Sequence, residues 1–303
     1  MSPQQPSRRS TPGRGKSAGC SSILGSGFII SRVRVPGKAL CVTAAHVIDD
    51  AHRALGLQRP RTGGVAPGFE VFRFDESLKE PCARGALRGY VVIDGKADFA
   101  QITEAVLVGS LDVGLVVLSS AVFDSHASAF AINSDFFDPG TPIVALGTQE
   151  TRVEDRGPVE DGRMFLVEPR IEARYGRIRQ VHRRDRQLKT VAYELTISIP
   201  HGMSGGPILL APEPGLGMQA IAFASYDHAP KETVDDCNVP GAGTAIPMSA
   251  AFIAAVAGEN QIPLLEHVRQ SRVRDLGTAW RDIEVVREND EIFFRRLSGL
   301  PLD

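Results

Sequence analysis

An all-β fold, a sandwich or a barrel, is what this sequence predicts, on three observations. Short runs of β-branched, aromatic and other apolar residues recur from about residue 24 to residue 248, separated by Gly, Pro and charged turns. Little helical periodicity lies between them, which argues against a fold that alternates strand and helix. The chain has 303 residues and is 43% apolar, enough to bury one large core or two packed subdomains.

Residues 1–18 are rich in Pro, Ser and Arg and are expected to be a disordered basic lead-in. Arg8, Arg9, Arg14 and Lys16 are not followed by an apolar stretch that could form the core of a signal peptide. A first β unit is expected over 19–125. Its opening runs, SSILGSGFIISRVRV and ALCVTAAHV, are joined at Pro36-Gly37 and read as a hairpin. The second run ends at the small-residue corner Thr43-Ala44-Ala45, directly before His46 and a short helical VIDDAHRAL. Residues 57–68 are loop-like. FEVFRF, LRGYVVID and EAVLVGSLDVGLVVL are then read as strands, and after Glu104 the last holds one charge, Asp112.

A second β unit is expected over 126–258, with strands at TPIVALGT, MFLVEPRIEA, GRIRQVHRR, TVAYELTISI, PILLA, QAIAFASY and GTAIPM. It closes on SAAFIAAVAG, whose alanine-rich composition predicts a helix capped by Ser249 and stopped by Gly258. Residues 259–303 form a C-terminal extension. Leu264, Leu265, Val268, Val273 and Leu276 recur at helix-like spacing there, and IFFRRL is apolar enough to need a surface to dock on, either this chain's core or a partner.

Composition removes several classes of function. Net charge is −2, with acids and bases interspersed, so no field suited to nucleic acid is present. Cys20, Cys41, Cys82 and Cys237 are scattered and form no CxxC pair, so neither a zinc site nor a disulfide scaffold is expected, and no cofactor is implied. No stretch of 18 apolar residues occurs, so no membrane-spanning helix is expected. The setting these features imply is soluble, reducing and cytoplasmic.

The chemistry concentrates in HGMSGGPILL, residues 201–210, where Ser204 stands among glycines and an apolar strand follows. Glycine permits positive φ and close backbone approach, so a serine in such a turn can be presented beside free N–H groups. A serine hydroxyl is a weak nucleophile without a base. His46 and Asp112 precede it in an order that supplies a base of suitable pKa and a carboxylate to orient it. Asp98 in KADFAQI is a rival for the carboxylate, on a shorter and more polar run. Residues 202–206 also satisfy GxSxG, the α/β-hydrolase elbow, but Pro207 and PILL stand where that motif needs a helix. His201 is read as a solvated loop residue. His52, His126, His182, His228 and His267 have no motif around them.

On GSGFII, TAAHV, DVGLVVL, PIVALGT, YGRIRQV, GMSGGPIL and GTAIPMS, the sequence resembles the bacterial trypsin-like serine peptidases, the group of Htr-type proteases and glutamyl endopeptidases. The resemblance spans about residues 20–257. It implies two packed six-stranded antiparallel β-barrels of the chymotrypsin fold, with His46 and Asp112 from the first, Ser204 from the second, and a protein or peptide as substrate. It implies an oxyanion hole from the N–H groups of Gly202 and Ser204, and a substrate pocket at Ser198, Ala222, Ala224 and Ser225. With no Asp at the pocket base, a small or medium apolar P1 residue is expected. Met203 stands where digestive relatives carry Asp, so activation by a processed N-terminus is not expected. The 66 residues from His46 to Asp112 imply an insertion at about 51–90. An alternative is a catalytically idle version of the fold that acts as a binding module.

Overall fold

The computed structural model describes residues 24–32, 36–54, 69–73, 87–93, 96–125, 131–133, 135–159, 162–182, 192–211, 218–227, 243–249, 283–288 and 291–296. Six strands form the first sheet: β1 (Phe28–Arg32), β2 (Lys38–Ala44), β3 (Phe69–Arg73), β4 (Arg88–Ile93), β5 (Lys96–Val108) and β6 (Val113–Ser119). They run β1-β2-β6-β5-β3, with β4 also on β5, all antiparallel, and the sheet curls into a half-barrel. In β2 and β6 nearly every side chain is buried, which is why both read as unbroken apolar runs rather than as alternating ones. Helix α1 (Ala45–Ala54) leaves the end of β2 and packs Ala45 and Ile48 into the same core as Leu107, Val116 and Leu118.

The second sheet has β8 (Pro142–Val159), β9 (Gly162–His182), β10 (Ala192–Leu195), β11 (Pro207–Leu210), β12 (Gln219–Asp227) and β13 (Gly243–Pro247). Because β11 pairs with both β8 and β12, these six strands close into an antiparallel barrel, and short β7 (Ala131–Ile132) adds in parallel to β12. Ile143, Ile178, Leu195, Ile208 and Ile221 fill it. The all-β double-barrel expectation therefore holds, with one barrel fully closed among the described residues.

Local readings differ in three places. The apolar run over residues 104–118 is two strands, because the chain reverses at residues 109–112 and β5 pairs back onto β6 from Val108↔Val113. The KADFAQI run is the opening of the long β5. MFLVEPRIEA and GRIRQVHRR are one strand, β9, and the polar stretch after PIVALGT continues β8 opposite it, paired out to Val159↔Gly162. Only the roots of this hairpin belong to the barrel, where Ile143–Ala145 pair with β11 and Ile178–His182 with β10. Among the described residues its outer part, beyond Thr148↔Ile171, pairs with no further strand and is a two-stranded ribbon.

Helix α2 is Val122–Ser125. β14 (Ile283–Glu288) and β15 (Glu291–Arg296) make a separate antiparallel hairpin in the C-terminal extension, and the expected helix-like segment from Leu264 to Leu276 lies outside the described residues. The basic lead-in and the body of the expected helix after Ser249 lie outside the described residues. Among the described residues no helix is long and apolar enough to cross a membrane.

Candidate active site

Strand register brings the first two groups together. β2 and β6 pair Ala44↔Val113, so His46, two residues past the end of β2, meets Asp112, one residue before β6 begins. The corner is held from both sides: Asp112 N–H donates to Gly109 O at 3.1 Å, and Ala45 N–H donates to Asp112 O at 3.0 Å. Asp112 has φ +50°, the one non-glycine with positive φ among the described residues. Asp tolerates this left-handed conformation better than most side chains. The carboxylate is buried and receives three donors. His46 N–H reaches Oδ1 at 3.0 Å, the His46 Nδ1 lies 3.1 Å from Oδ1 and 3.0 Å from Oδ2, and the Ser225 hydroxyl donates to Oδ2.

Burial is the largest influence on the imidazole and disfavours its charge. The hydrogen bond to Asp112 and the negative charges of Asp112 and Asp50 together outweigh it, so the His46 pKa rises above the ordinary 6.5. A base must be neutral to accept a proton. The acid limb of kcat/KM, measured from pH 5 to 9, is therefore expected to centre above 6.5 with a one-proton slope. For stability the sign is opposite: the contribution of the raised pKa is complete below 6.5 and is lost as pH climbs through the folded value.

Ser204 follows a tight turn. Met203 N–H donates to Pro200 O at 3.1 Å, and Gly202, third in that turn, has φ +95°, the type II requirement for glycine. A Cβ at Gly202 would lie 2.5 Å from Thr148 O. Past Ser204, Gly205 N–H donates to Ala224 O at 2.7 Å and Ala224 N–H to Gly206 O at 2.8 Å, which ties the loop to β12. No described residue accepts from the N–H of Gly202 or of Ser204. The Ser204 hydroxyl donates to the Ser225 carbonyl at 2.8 Å.

The first sheet reaches this loop through Ser26. Its N–H donates to Ser204 O at 2.7 Å, and its hydroxyl donates to Gly202 O at 2.7 Å while accepting from Thr148 N–H at 2.9 Å. Thr148 Oγ1 lies 3.0 Å from Ser26 Oγ and 3.3 Å from Gly202 O, and Thr43 Oγ1 donates to Ser26 O at 2.7 Å. Met203 is fully buried beside Gly147, where a Cβ would meet its backbone.

The remaining candidates are placed as follows. Asp98 is exposed and takes the Ser120 hydroxyl, so the structure does not bring it to His46. Ala222 and Ala224 are completely buried in the second core, between β11 and β13, and so do not form pocket walls. Ser225, on the same strand, turns to Asp112. Ser198 is half-buried, and its hydroxyl accepts from Arg174 Nη1 at 2.6 Å. Arg174 Nε donates to Glu172 at 2.7 Å, and both ion-pair partners are largely buried, with no partner for Glu172 Oε2 among the described residues. The implied pocket floor thus adjoins a buried cation supplied by β9, which lies too far along the chain to be associated with Ser198 from spacing. Arg174→Met would leave Glu172 uncompensated and is expected to cost about 3 kcal/mol. Urea denaturation checks this, and Glu172→Gln added to it should recover most of the loss.

Among the described residues no group of three His, Cys, Asp or Glu side chains could hold a metal ion. A curled half-barrel and a closed six-stranded antiparallel barrel, with a histidine and an aspartate at one corner of the first and a serine in a turn of the second, are consistent with a chymotrypsin-like double barrel. Similar solved structures include the HtrA-type protease AlgW, Deg5 and the Rv3671c protease. AlgW with a decapeptide is 18% identical over 80% of this chain, TM-score 0.43. Deg5 is 17% identical over 76% of this chain and 80% of its own, TM-score 0.44. The active form of the Rv3671c protease from M. tuberculosis is 16% identical over 77% of this chain and 72% of its own, TM-score 0.42. The chain spans little more than half of the two AlgW chains, 55% and 52%. No protein-family model and no curated protein matches the chain.

Proposed function

We propose that this protein is a serine endopeptidase acting on protein or peptide substrates through an acyl-enzyme. The observation that carries the reading is the carboxylate of Asp112, buried and aimed at His46 Nδ1, which leaves Nε2 as the face open to a nucleophile. Ser204 Oγ attacks the scissile carbonyl as its proton passes to His46 Nε2. His46 then returns that proton to the leaving amine, and water repeats the sequence to release the acid. Gly202 and Ser204 N–H, free of described acceptors, receive the oxyanion. As substrate binds, the Ser204 hydroxyl rotates from the Ser225 carbonyl, on which it rests, toward Nε2; such contacts commonly tighten only in the substrate complex. With Met203 uncharged, the site assembles on folding and needs no cleavage of a precursor.

The resting bond from Ser204 to the Ser225 carbonyl favours one competing reading, an idle fold used for binding. A fluorophosphonate probe separates the two. Labelling of the wild type that disappears in Ser204→Ala supports the peptidase, whereas a folded wild type that stays unlabelled supports the binding module.

A further inference from the structure

We propose that Ser26, assisted by Thr148, is a positioning residue that sets the oxyanion hole. This inference rests on the peptidase reading. The donor at issue is Gly202 N–H, and its direction depends on the orientation of the peptide between His201 and Gly202. In a type II turn that peptide is inverted relative to type I, and the two forms differ by little energy unless something outside the turn selects one. Here the selection comes from the next peptide along. Its carbonyl, Gly202 O, accepts from the Ser26 hydroxyl at 2.7 Å and lies 3.3 Å from the Thr148 hydroxyl, while its Met203 N–H is fixed to Pro200 O.

Both ends of the peptide plane are thus anchored, and Gly202 is left at φ +95° between walls supplied by Thr148 and Gln149. Ser26 is itself immobilised on four sides: by Thr148 N–H, by the Thr148 hydroxyl, by Thr43 Oγ1 on its carbonyl, and by its own N–H on Ser204 O. Ser26 precedes β1 of the first sheet and Thr148 lies at the root of the β8–β9 ribbon, so the hole is set only when both elements meet the nucleophile turn. Hydroxyls here hold the turn where the buried, uncharged Met203 offers no charge to hold it.

The test compares wild type, Ser26→Ala, the isosteric Thr148→Val and the hydroxyl-retaining Thr148→Ser. Steady-state kinetics on a peptide substrate, affinity for a peptide boronate that places an oxygen in the hole, melting temperature, and amide exchange over residues 200–206 are measured. Ser26→Ala is expected to lower kcat by roughly 10- to 100-fold, less than deleting a donor outright, with KM changed less than about twofold and boronate affinity falling in parallel. Thr148→Val gives a smaller loss of the same kind, and Thr148→Ser retains activity. In both damaged variants the Met203 amide exchanges faster than in wild type. A folded Ser26→Ala protein with wild-type kcat, boronate affinity and exchange overturns the proposal. If Ser26→Ala does not fold, Thr148→Val decides by the same readings. If wild type neither labels nor turns over, the peptidase reading fails, and amide exchange alone decides whether the clamp exists.

Discussion

Ser204→Ala is expected to lower kcat on the order of 10⁶-fold and to leave the fold intact. In the proposed mechanism the hydroxyl forms the acyl bond, and among the described residues its neighbours do not replace it: His201 is exposed, and the Ser225 hydroxyl is committed to the buried Asp112 carboxylate. The fold survives because the turn is built from backbone. Gly205 N–H, Gly206 O and Ser204 O are all bonded through main-chain atoms that an alanine retains, and the Ser204 side chain contributes one bond, to the Ser225 carbonyl. Turnover of a peptide library, read beside the thermal melt, checks both halves. A variant that is folded and still fully active would end the peptidase reading.

Asp112→Asn is expected to cost on the order of 10⁴ in kcat through a different fault. The carboxylate offers two oxygens to three donors: His46 N–H, His46 Nδ1 and the Ser225 hydroxyl. An asparagine has one oxygen and an NH₂ group that can only donate. If its oxygen keeps the fixed backbone N–H of His46, the NH₂ faces Nδ1 and stabilises the tautomer with its proton on Nε2. That tautomer cannot accept the serine proton. The same change removes the bond and the charge that lift the His46 pKa, so the acid limb of kcat/KM should move down while the rate falls. A rate loss with the limb unmoved would show that Asp112 does not act through His46. Ser225→Ala, which leaves the carboxylate in place with one fewer donor, should cost far less.

Much of the candidate site is legible in the sequence because each proposed member sits in a local pattern that physics constrains. Ser204 lies among glycines whose freedom the turn uses, with positive φ at Gly202 and Gly205. His46 follows a small-residue corner where a strand becomes a helix. Asp112 is a lone charge in an apolar run, which marks a position where burial needs partners. In sequence Asp112 and Asp98 are separated only by the length and apolarity of their runs, and what differs in space is register: Ala44↔Val113 places Asp112 next to His46, whereas Asp98 pairs across to Val91 on β4. Ser26 left a faint signal, a serine between two glycines in GSGF, but nothing in the order of residues says that its hydroxyl faces Gly202 O. Ala222 and Ala224 were misplaced because small residues on a strand look alike whether they wall a pocket or fill a core.

By itself the sequence determined the class of fold, the turn at Ser204, and the residue types that can carry acyl transfer, since these depend on local conformational preference and on periodicity within one strand. Only the tertiary structure decided the partners: Ser225 on Asp112, Arg174 on Ser198, and Ser26 with Thr148 on Gly202 O. Each of those contacts joins segments 24 to 176 residues apart. Such contacts are set by which strands neighbour one another and by how two curved sheets meet, and neither is encoded in any short stretch of chain.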